Sequence, residues 1–333
     1  MSNPLVSVII PTVERPYYLK RAMESVLKQT YQPLEIIVVI DGKSSITIEM
    51  VDFFINEAEI HIQWIETNKK VGGSEARNLG IQKAKGDFIA LLDDDDEWLE
   101  NKIAAQVAQI KERALGKKDS FISFTSIYTY EFIDQPEYKK MPAVNYVDSR
   151  KKKLADYLFE TKGLKRTGCI QTSAIVTSRE FILKYPFTKG LLKHQDWDWL
   201  LKVDKLPTLQ ILQVEQPMVI YHSDVPKTDR IGLSNQWRFS ESWLSNHRSD
   251  FGKAAYENFL LDILLPGILT DDSLSKKERA DVTKRLLRKL SLAAYIRPFT
   301  WKMLSYLTIR NNEFFFKKIQ HSSMLMSVKN RLF

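Results

Sequence analysis

The sequence predicts an α/β fold, in which a mixed, mainly parallel sheet is flanked by helices and followed by a helical C-terminal extension. Three observations lead there. Short β-branched runs alternate with helix-patterned stretches through the first 110 residues. That repeated β-α-β order calls for parallel strands joined by right-handed crossovers. Beyond about Ser240 the periodicity becomes predominantly helical.

In order along the chain, Val6 to Ile10, Glu35 to Ile40, His61 to Glu66 and Phe88 to Leu92 read as strands. Tyr17 to Lys28, Thr47 to Asn56 and Glu75 to Lys85 carry apolar residues at helical spacing between them, and Gly86 stands where the last helix would end. A helix is expected from about Leu99 to Leu115, then a half-buried strand from Ser120 to Tyr130. Residues 131 to 165 are polar, basic and weakly periodic, which suggests a loop-rich insertion over one side of a site. Strand character returns from Gly168 to Thr177, short helices follow at Arg179 to Lys184 and His194 to Val203, and two short strands are expected between Leu209 and Tyr221.

Composition excludes several classes. At 44% apolar and 27% charged over 333 residues the chain is ordinary globular material. No apolar run approaches 18 residues, and Phe259 to Leu269 carries Asp262 and Pro266, so no membrane span is expected. Leu5 to Ile10 has no basic lead or cleavage site and is read as a strand, not a signal peptide. Cys169, the single cysteine and an expected core residue, excludes an internal disulfide and a multi-cysteine metal site, and a cytoplasmic location is expected. The net charge of +8 is unevenly placed: Ser273 to Phe333 holds 14 Lys and Arg against 3 acidic residues, and residues 1 to 272 hold 35 against 38. The basicity belongs to the tail, and no nucleic-acid partner is expected.

In open parallel sheets ligands bind outside the carboxyl ends of the strands. This singles out Pro11 to Pro16, Asp41 to Ser45, Asn68 to Ser74 and Asp93 to Trp98. Asp93, Asp94, Asp95 and Asp96 stand in a row directly after the fourth strand, where four carboxylates repel one another. A divalent cation that also binds phosphate oxygens would offset that repulsion, and oxygen-only ligation suits Mg²⁺ or Mn²⁺. The plainer reading is an acidic turn stabilising the following helix through its dipole.

Five segments in order resemble the nucleotide-sugar-binding half of the family-2 glycosyltransferases of the bacterial surface-polysaccharide type, which have the GT-A fold, Rossmann-like in its sheet. They are VSVIIPT at Val6 to Thr12, ESVLKQTY at Glu24 to Tyr31, EIIVVIDG at Glu35 to Gly42, GGSEARNLGI at Gly72 to Ile81, and KGDFIALLDDDDEWLENKI at Lys85 to Ile103. The stretch they span, Val6 to Ile103, is nearly a third of the chain. The resemblance implies that Asp95 is the direct metal ligand, with Asp93 near ribose and metal in a DXD motif and Asp94 beside the nucleotide. It gives Asp41 to the imide N–H of uracil, for which a carboxylate is a suitable acceptor; the alternative is a turn acid before Gly42. Arg77 would contact the nucleotide, or be a surface helix arginine. Pro11 and Thr12 would present backbone groups to the base, beside Glu14. Val13, Glu14 and Ile40 depart from the family's aromatic, its Asn or Asp, and its first aspartate. UDP is therefore favoured, with GDP and dTDP open.

Sugar transfer with inversion needs a carboxylate to take the acceptor hydroxyl's proton, while a metal stabilises the departing diphosphate. HQDWDWLLKV, His194 to Val203, resembles the family's Glu-Asp pair at a helix start, which makes Asp196 the general base and Gln195 the replacement for the first acid. Asp196 as a helix cap is the alternative. Trp197 would wall the acceptor site or pack in the core. His222 would bind the metal or diphosphate, or serve structure alone. Lys227 and Arg230 would pair with phosphate or face solvent.

Val282, Leu286 and Leu290 recur every four positions between basic residues, and Phe299, Trp301, Met303, Tyr306 and Phe314 to Phe316 mix with Arg297, Lys302, Arg310, Lys317 and Lys318. This suits peripheral contact with an anionic membrane on its inner face; the alternative is a helical unit that packs on the catalytic core or forms a homodimer. The expected organisation is a GT-A catalytic domain over 1–240, its nucleotide-sugar-binding half 1–110 and acceptor-binding half 111–240, then a basic helical region over 241–333. The expected reaction carries a sugar from a UDP-sugar or related donor to a hydroxyl of a glycan or lipid-linked oligosaccharide. A noncatalytic nucleotide-sugar binder or scaffold is the alternative. A dehydrogenase would need G-x-G-x-x-G after the first strand, and a nucleotidyltransferase a Gly-rich basic loop; PTVERP is neither.

Overall fold

The structure, a computed structural model, describes residues 3–130, 138–148, 152–222 and 234–311. Lys227, Arg230, Phe314 to Phe316, Lys317 and Lys318 lie outside them, as do the side chains of Tyr306 and Arg310.

The chain divides into two compact units, and the first holds a nine-stranded sheet. Its strands are β1 (Val6–Thr12), β2 (Leu34–Ile40), β3 (His61–Glu66), β4 (Phe88–Leu91), β5 (Asp96–Trp98), β6 (Phe121–Tyr130), β7 (Tyr138–Met141), β8 (Ile175–Ser178) and β9 (Gln210–Tyr221). They lie in the order β3-β2-β1-β4-β8-β6-β9-β5, with β7 beside β6. β1 to β4 pair in parallel, as do β6 and β9, whereas β8, β5 and β7 pair antiparallel to their neighbours. All seven residues of β2, LEIIVVI, are buried, as a strand covered on both faces requires.

Helices Pro16–Leu27, Ser45–Glu57 and Gly73–Lys83 make the crossovers. Three elements differ from expectation for a local reason. Leu209 to Tyr221 is one bulged strand: Pro217 has no N–H to give the ladder, and the register slips on both sides of it without ending the strand. Between Gly168 and Thr177 the chain makes a short helical turn, Thr172–Ala174, before β8 begins. The helix expected from Leu99 begins only at Lys102, because Asp96 to Trp98 is taken up by pairing with the end of β9.

The second unit gathers the described residues 152–168 and 234–311. Residues 131–165 are thus not one loop-rich insertion: β7 belongs to the sheet, and Leu154–Leu158 is a helix that packs with the C-terminal helices. The aromatic rings of Phe159, Phe251 and Phe259 meet at 5.1–5.7 Å, and Asn258 Nδ2 donates to the Phe159 carbonyl at 2.7 Å. The unit therefore begins before residue 240 and recruits an earlier segment of chain, because those rings need each other to leave water.

Candidate active site

The carboxyl ends of β1 to β4 bring the nominated loops together, Thr12 bonding to Asp94 and Asp41 to Val71 and Gly72. Asp41, at the end of β2, is buried; its Oδ1 accepts the Val71 N–H at 2.6 Å and its Oδ2 the Gly72 N–H at 2.9 Å. It thereby fixes the turn into the helix that carries Arg77. Gly72 holds φ at +87°, a conformation a side chain would strain. Gly73 is needed for approach: a Cβ there would meet Gln195 Oε1 at 2.7 Å and Arg77 Nη1 at 3.0 Å.

The four aspartates alternate. The side chains of Asp93 and Asp95 are 25% and 20% exposed, whereas Asp94 and Asp96 are each 1% exposed. The segment is a turn, closed by the Asp96 N–H on the Asp93 carbonyl at 3.1 Å, that points alternate side chains inward. Asp94 accepts the Thr12 hydroxyl at 2.6 Å and Arg15 Nε at 3.1 Å, and is paired with Arg15 Nη2 as well. Burial pushes its pKa up to about 7, against the lowering pull of Arg15. The Asp94 carboxyl is thus engaged inside the protein, by Thr12 and Arg15. Thr12 likewise supplies its hydroxyl to Asp94 and its carbonyl to the Asp41 N–H at 2.8 Å, while Pro11 is half-buried at the end of β1 and Glu14 is exposed.

Asp96 accepts the Ser173 hydroxyl at 2.5 Å and Gln171 Nε2 at 2.6 Å, and burial raises its pKa well above the ordinary carboxylate range. Arg21 Nη2 donates to the Asp95 carbonyl at 2.8 Å, and Arg15 Nη1 lies 3.6 Å from Asp95 Oδ2. Asp93 accepts Arg77 Nη2 at 2.5 Å.

Arg77 is also the link to the acceptor side. Its Nη1 donates to Gln195 Oε1 at 2.9 Å, at the first turn of helix Gln195–Asp204. Asp196 follows directly. Its Oδ1 accepts the Trp197 N–H at 2.9 Å, so it does help satisfy the helix start, although the residue at the cap position is His194. Burial raises the Asp196 pKa and Asp93 adds to the rise, whereas the Trp197 N–H and Arg77 oppose it. Trp197 stacks on His194 at 4.8 Å between ring centres.

His222 is paired with Glu97. Its Nε2 lies 3.0 Å from Glu97 Oε2, a bond that lowers the Glu97 pKa. Among the described residues no group of three His, Cys, Asp or Glu side chains converges as a metal site. Two half-exposed carboxylates, all oxygen, nevertheless fit a cation whose remaining ligands are substrate phosphates and water. Sequence reasoning missed Arg15, Arg21, Gln171 and Ser173, each of which acts through a contact about 70 to 80 positions away.

The comparisons with known proteins follow this geometry. Residues 7–169 match glycosyl transferase family 2. The chain carries a family 2 glycosyltransferase domain. This glycosyltransferase is 28% identical to the amylovoran biosynthesis glycosyltransferase AmsB of Erwinia amylovora over 87% of its own length and 98% of the relative's. Among solved structures it resembles S. aureus TarS 1-349 in complex with UDP-GlcNAc, with a TM-score of 0.51 at 17% identity over 85% of this chain and 72% of that one. It also resembles mannosyltransferase PcManGT from Pyrobaculum calidifontis in complex with GDP-Man and Mn²⁺, with a TM-score of 0.53 at 14% identity over 93% and 87% of the two chains. The sheet and its helices are GT-A-like, with a helical C-terminal region.

Proposed function

We propose that this glycosyltransferase inverts the anomeric centre as it moves a sugar from a nucleoside-diphosphate donor, a UDP-sugar by preference, to an acceptor hydroxyl. The acceptor is a glycan or a lipid-linked oligosaccharide in surface polysaccharide synthesis, in keeping with AmsB. The observation that carries the reading is the pair of hydrogen bonds from Arg77, to Asp93 at 2.5 Å and to Gln195 at 2.9 Å, which supports a base role for the adjoining Asp196.

Asp93 and Asp95 would hold Mn²⁺ or Mg²⁺, with Asp95 the direct ligand. When bound, such a cation neutralises charge that develops on the departing diphosphate. Asp196 accepts the proton of the attacking hydroxyl; its raised pKa makes it a stronger base than a solvated carboxylate. Arg77 holds Asp93 and offsets the charge of both acids. Asp41 keeps the Val71–Gly72 turn in place from the donor side, where the base would lie.

No described helix is long and apolar enough to cross a membrane. In the second unit Leu292, Ile296 and Trp301 are 88%, 81% and 64% exposed beside basic residues, which supports peripheral contact with an anionic inner membrane face, where lipid-linked acceptors reside.

A panel of nucleotide-sugars, incubated with Mn²⁺ or Mg²⁺ and then with chelator while slow donor hydrolysis is followed, tests the reading. Release should stop with chelator and in Asp95→Ala. Asp196→Asn keeps an oxygen for the Trp197 N–H, so it should retain donor binding while transfer falls by about 10²–10⁴. Hydrolysis indifferent to chelator and to both substitutions would overturn the reading.

A further inference from the structure

Ser173 lies on none of the loops that the parallel strands nominate, yet it bonds to two of the four aspartates. The antiparallel register of β8 on β4 pairs Val176 with Ala90, Thr177 with Ile89 and Ser178 with Phe88. The turn Thr172–Ala174 that precedes β8 packs against β4 and carries Ser173 to the aspartates that follow it. There the Asp93 N–H donates to Ser173 Oγ at 3.0 Å, and the Ser173 hydroxyl donates to Asp96 Oδ2 at 2.5 Å. One hydroxyl thus serves as acceptor and donor at once.

The surroundings reinforce the clamp. Gln171 Nε2 donates to the same Asp96 oxygen at 2.6 Å and reaches Ser173 Oγ at 3.3 Å. Trp98 Nε1 donates to the Ser173 carbonyl at 2.8 Å. Within the turn, the Asp96 N–H closes onto the Asp93 carbonyl at 3.1 Å. Ser173 is fully buried, and Asp96 Oδ1 is buried without a hydrogen-bond partner. A turn of four adjacent carboxylates has every electrostatic reason to open, and the Ser173 hydroxyl ties its two ends to a single atom.

The geometry points to Ser173, supported by Gln171, as a positioning residue for the cation: it holds the main chain at Asp93 and the side chain at Asp96 so that the carboxylates of Asp93 and Asp95 remain together on the solvent side. The inference rests on the reading of those two aspartates as metal ligands. Ser173 touches neither cation nor donor. Partners of this kind orient the ligands, and their loss typically weakens metal binding about 10- to 100-fold.

The test is Mn²⁺ titration of the full chain in the presence of UDP or GDP, followed by the electron paramagnetic resonance signal of free Mn²⁺, with thermal unfolding measured in parallel. Ser173→Ala should bind Mn²⁺ about 10- to 100-fold more weakly. Thr177→Val is the control: it removes another fully buried hydroxyl from β8, one that donates to the Phe121 carbonyl at 2.5 Å, and should lower the melting temperature while leaving Mn²⁺ affinity at the wild-type value. If Ser173→Ala does not fold, Gln171→Leu, which removes the other donor to Asp96, is read in its place. A folded Ser173→Ala with wild-type affinity, or an equal loss in Thr177→Val, overturns the inference and leaves the metal reading standing. A wild-type chain that takes up no Mn²⁺ with either nucleotide overturns the metal reading and this inference with it.

Discussion

Arg77 and Gln195, 118 positions apart, are joined by a 2.9 Å hydrogen bond while the same guanidinium holds Asp93. Where the family pattern has an acid, Gln195 keeps the bond and removes a charge, so Arg77 has more of its field left for Asp93 and for Asp196. Arg77 favours the ionised form of Asp196, and ionised Asp196 is the form that accepts a proton. Arg77→Met should therefore raise the Asp196 pKa further and move the acid limb of the kcat/KM profile to higher pH, so activity falls more at pH 6 than at pH 8. On the plateau a further loss of about tenfold or more is expected, from the charge-assisted hydrogen bonds removed. An acid limb that stays in place would mean that Asp196 is not the titrating base.

Much of this site was legible because the strands that carry it are continuous apolar runs, and the residue after such a run falls at the ligand edge of the sheet. Asp41 and the row of four aspartates are singled out in that way, whereas Arg77 and the choice of Asp95 rest on the family resemblance. Four identical residues conceal which of them point inward; that Asp94 and Asp96 do so becomes visible only with burial. β5 is three residues long, too short for any periodicity. Ser173 and Gln171 could not be found from their own surroundings in sequence, since their role depends on the packing of segments about 80 positions apart.

Arg15 illustrates a buried pair whose loss should be felt in stability. Asp94 is 1% exposed and Arg15 is its cation. Arg15→Met should cost about 3 kcal/mol, the scale for stranding one partner of a buried pair. Thr12→Val, which removes a single hydroxyl, should cost about 1–2 kcal/mol. Because the Asp94 pKa already stands at about 7, its carboxyl is mostly neutral at pH 5, and the Arg15→Met penalty should shrink there relative to pH 8. Urea unfolding at the two pH values measures both; an equal penalty at each would refute the account.

His194 predicts a pH dependence of the opposite kind. It is buried against Trp197, and burial, reinforced by Lys193, pushes its pKa down to about 3 against the raising influence of Asp198. The unfolded chain takes up this proton near pH 6.5 and the folded chain does not, so the stabilisation is complete above 6.5 and is lost as pH falls toward 3. Its φ of +64° is one that asparagine tolerates well. His194→Asn should therefore fold, and between pH 6.5 and 5 it should lose less stability than wild type, by up to about 1.4 kcal/mol per pH unit. Parallel unfolding curves for the two proteins across that range would show that His194 does not titrate as its burial requires.

The exposed face of the second unit makes the last prediction. Leu292, Ile296 and Trp301 are left in water on a segment whose neighbours include the exposed Lys284 and Arg288 and the half-buried Lys302. Large apolar side chains this exposed on adjoining helices cost solvation that a bilayer interface would recover, and each nearby basic residue adds about 1 kcal/mol on an anionic surface. The chain should sediment with phosphatidylglycerol vesicles and not with phosphatidylcholine vesicles, and salt should weaken the binding. Trp301→Ala should weaken it about tenfold with the salt dependence kept, because the apolar contribution alone is removed. Lys302→Glu should instead flatten the salt dependence. If neither vesicle binds and the chain runs as a dimer that Trp301→Ala dissociates, the face belongs to a second copy of the chain, and the membrane reading falls while the chemistry at Asp95 and Asp196 is left untouched.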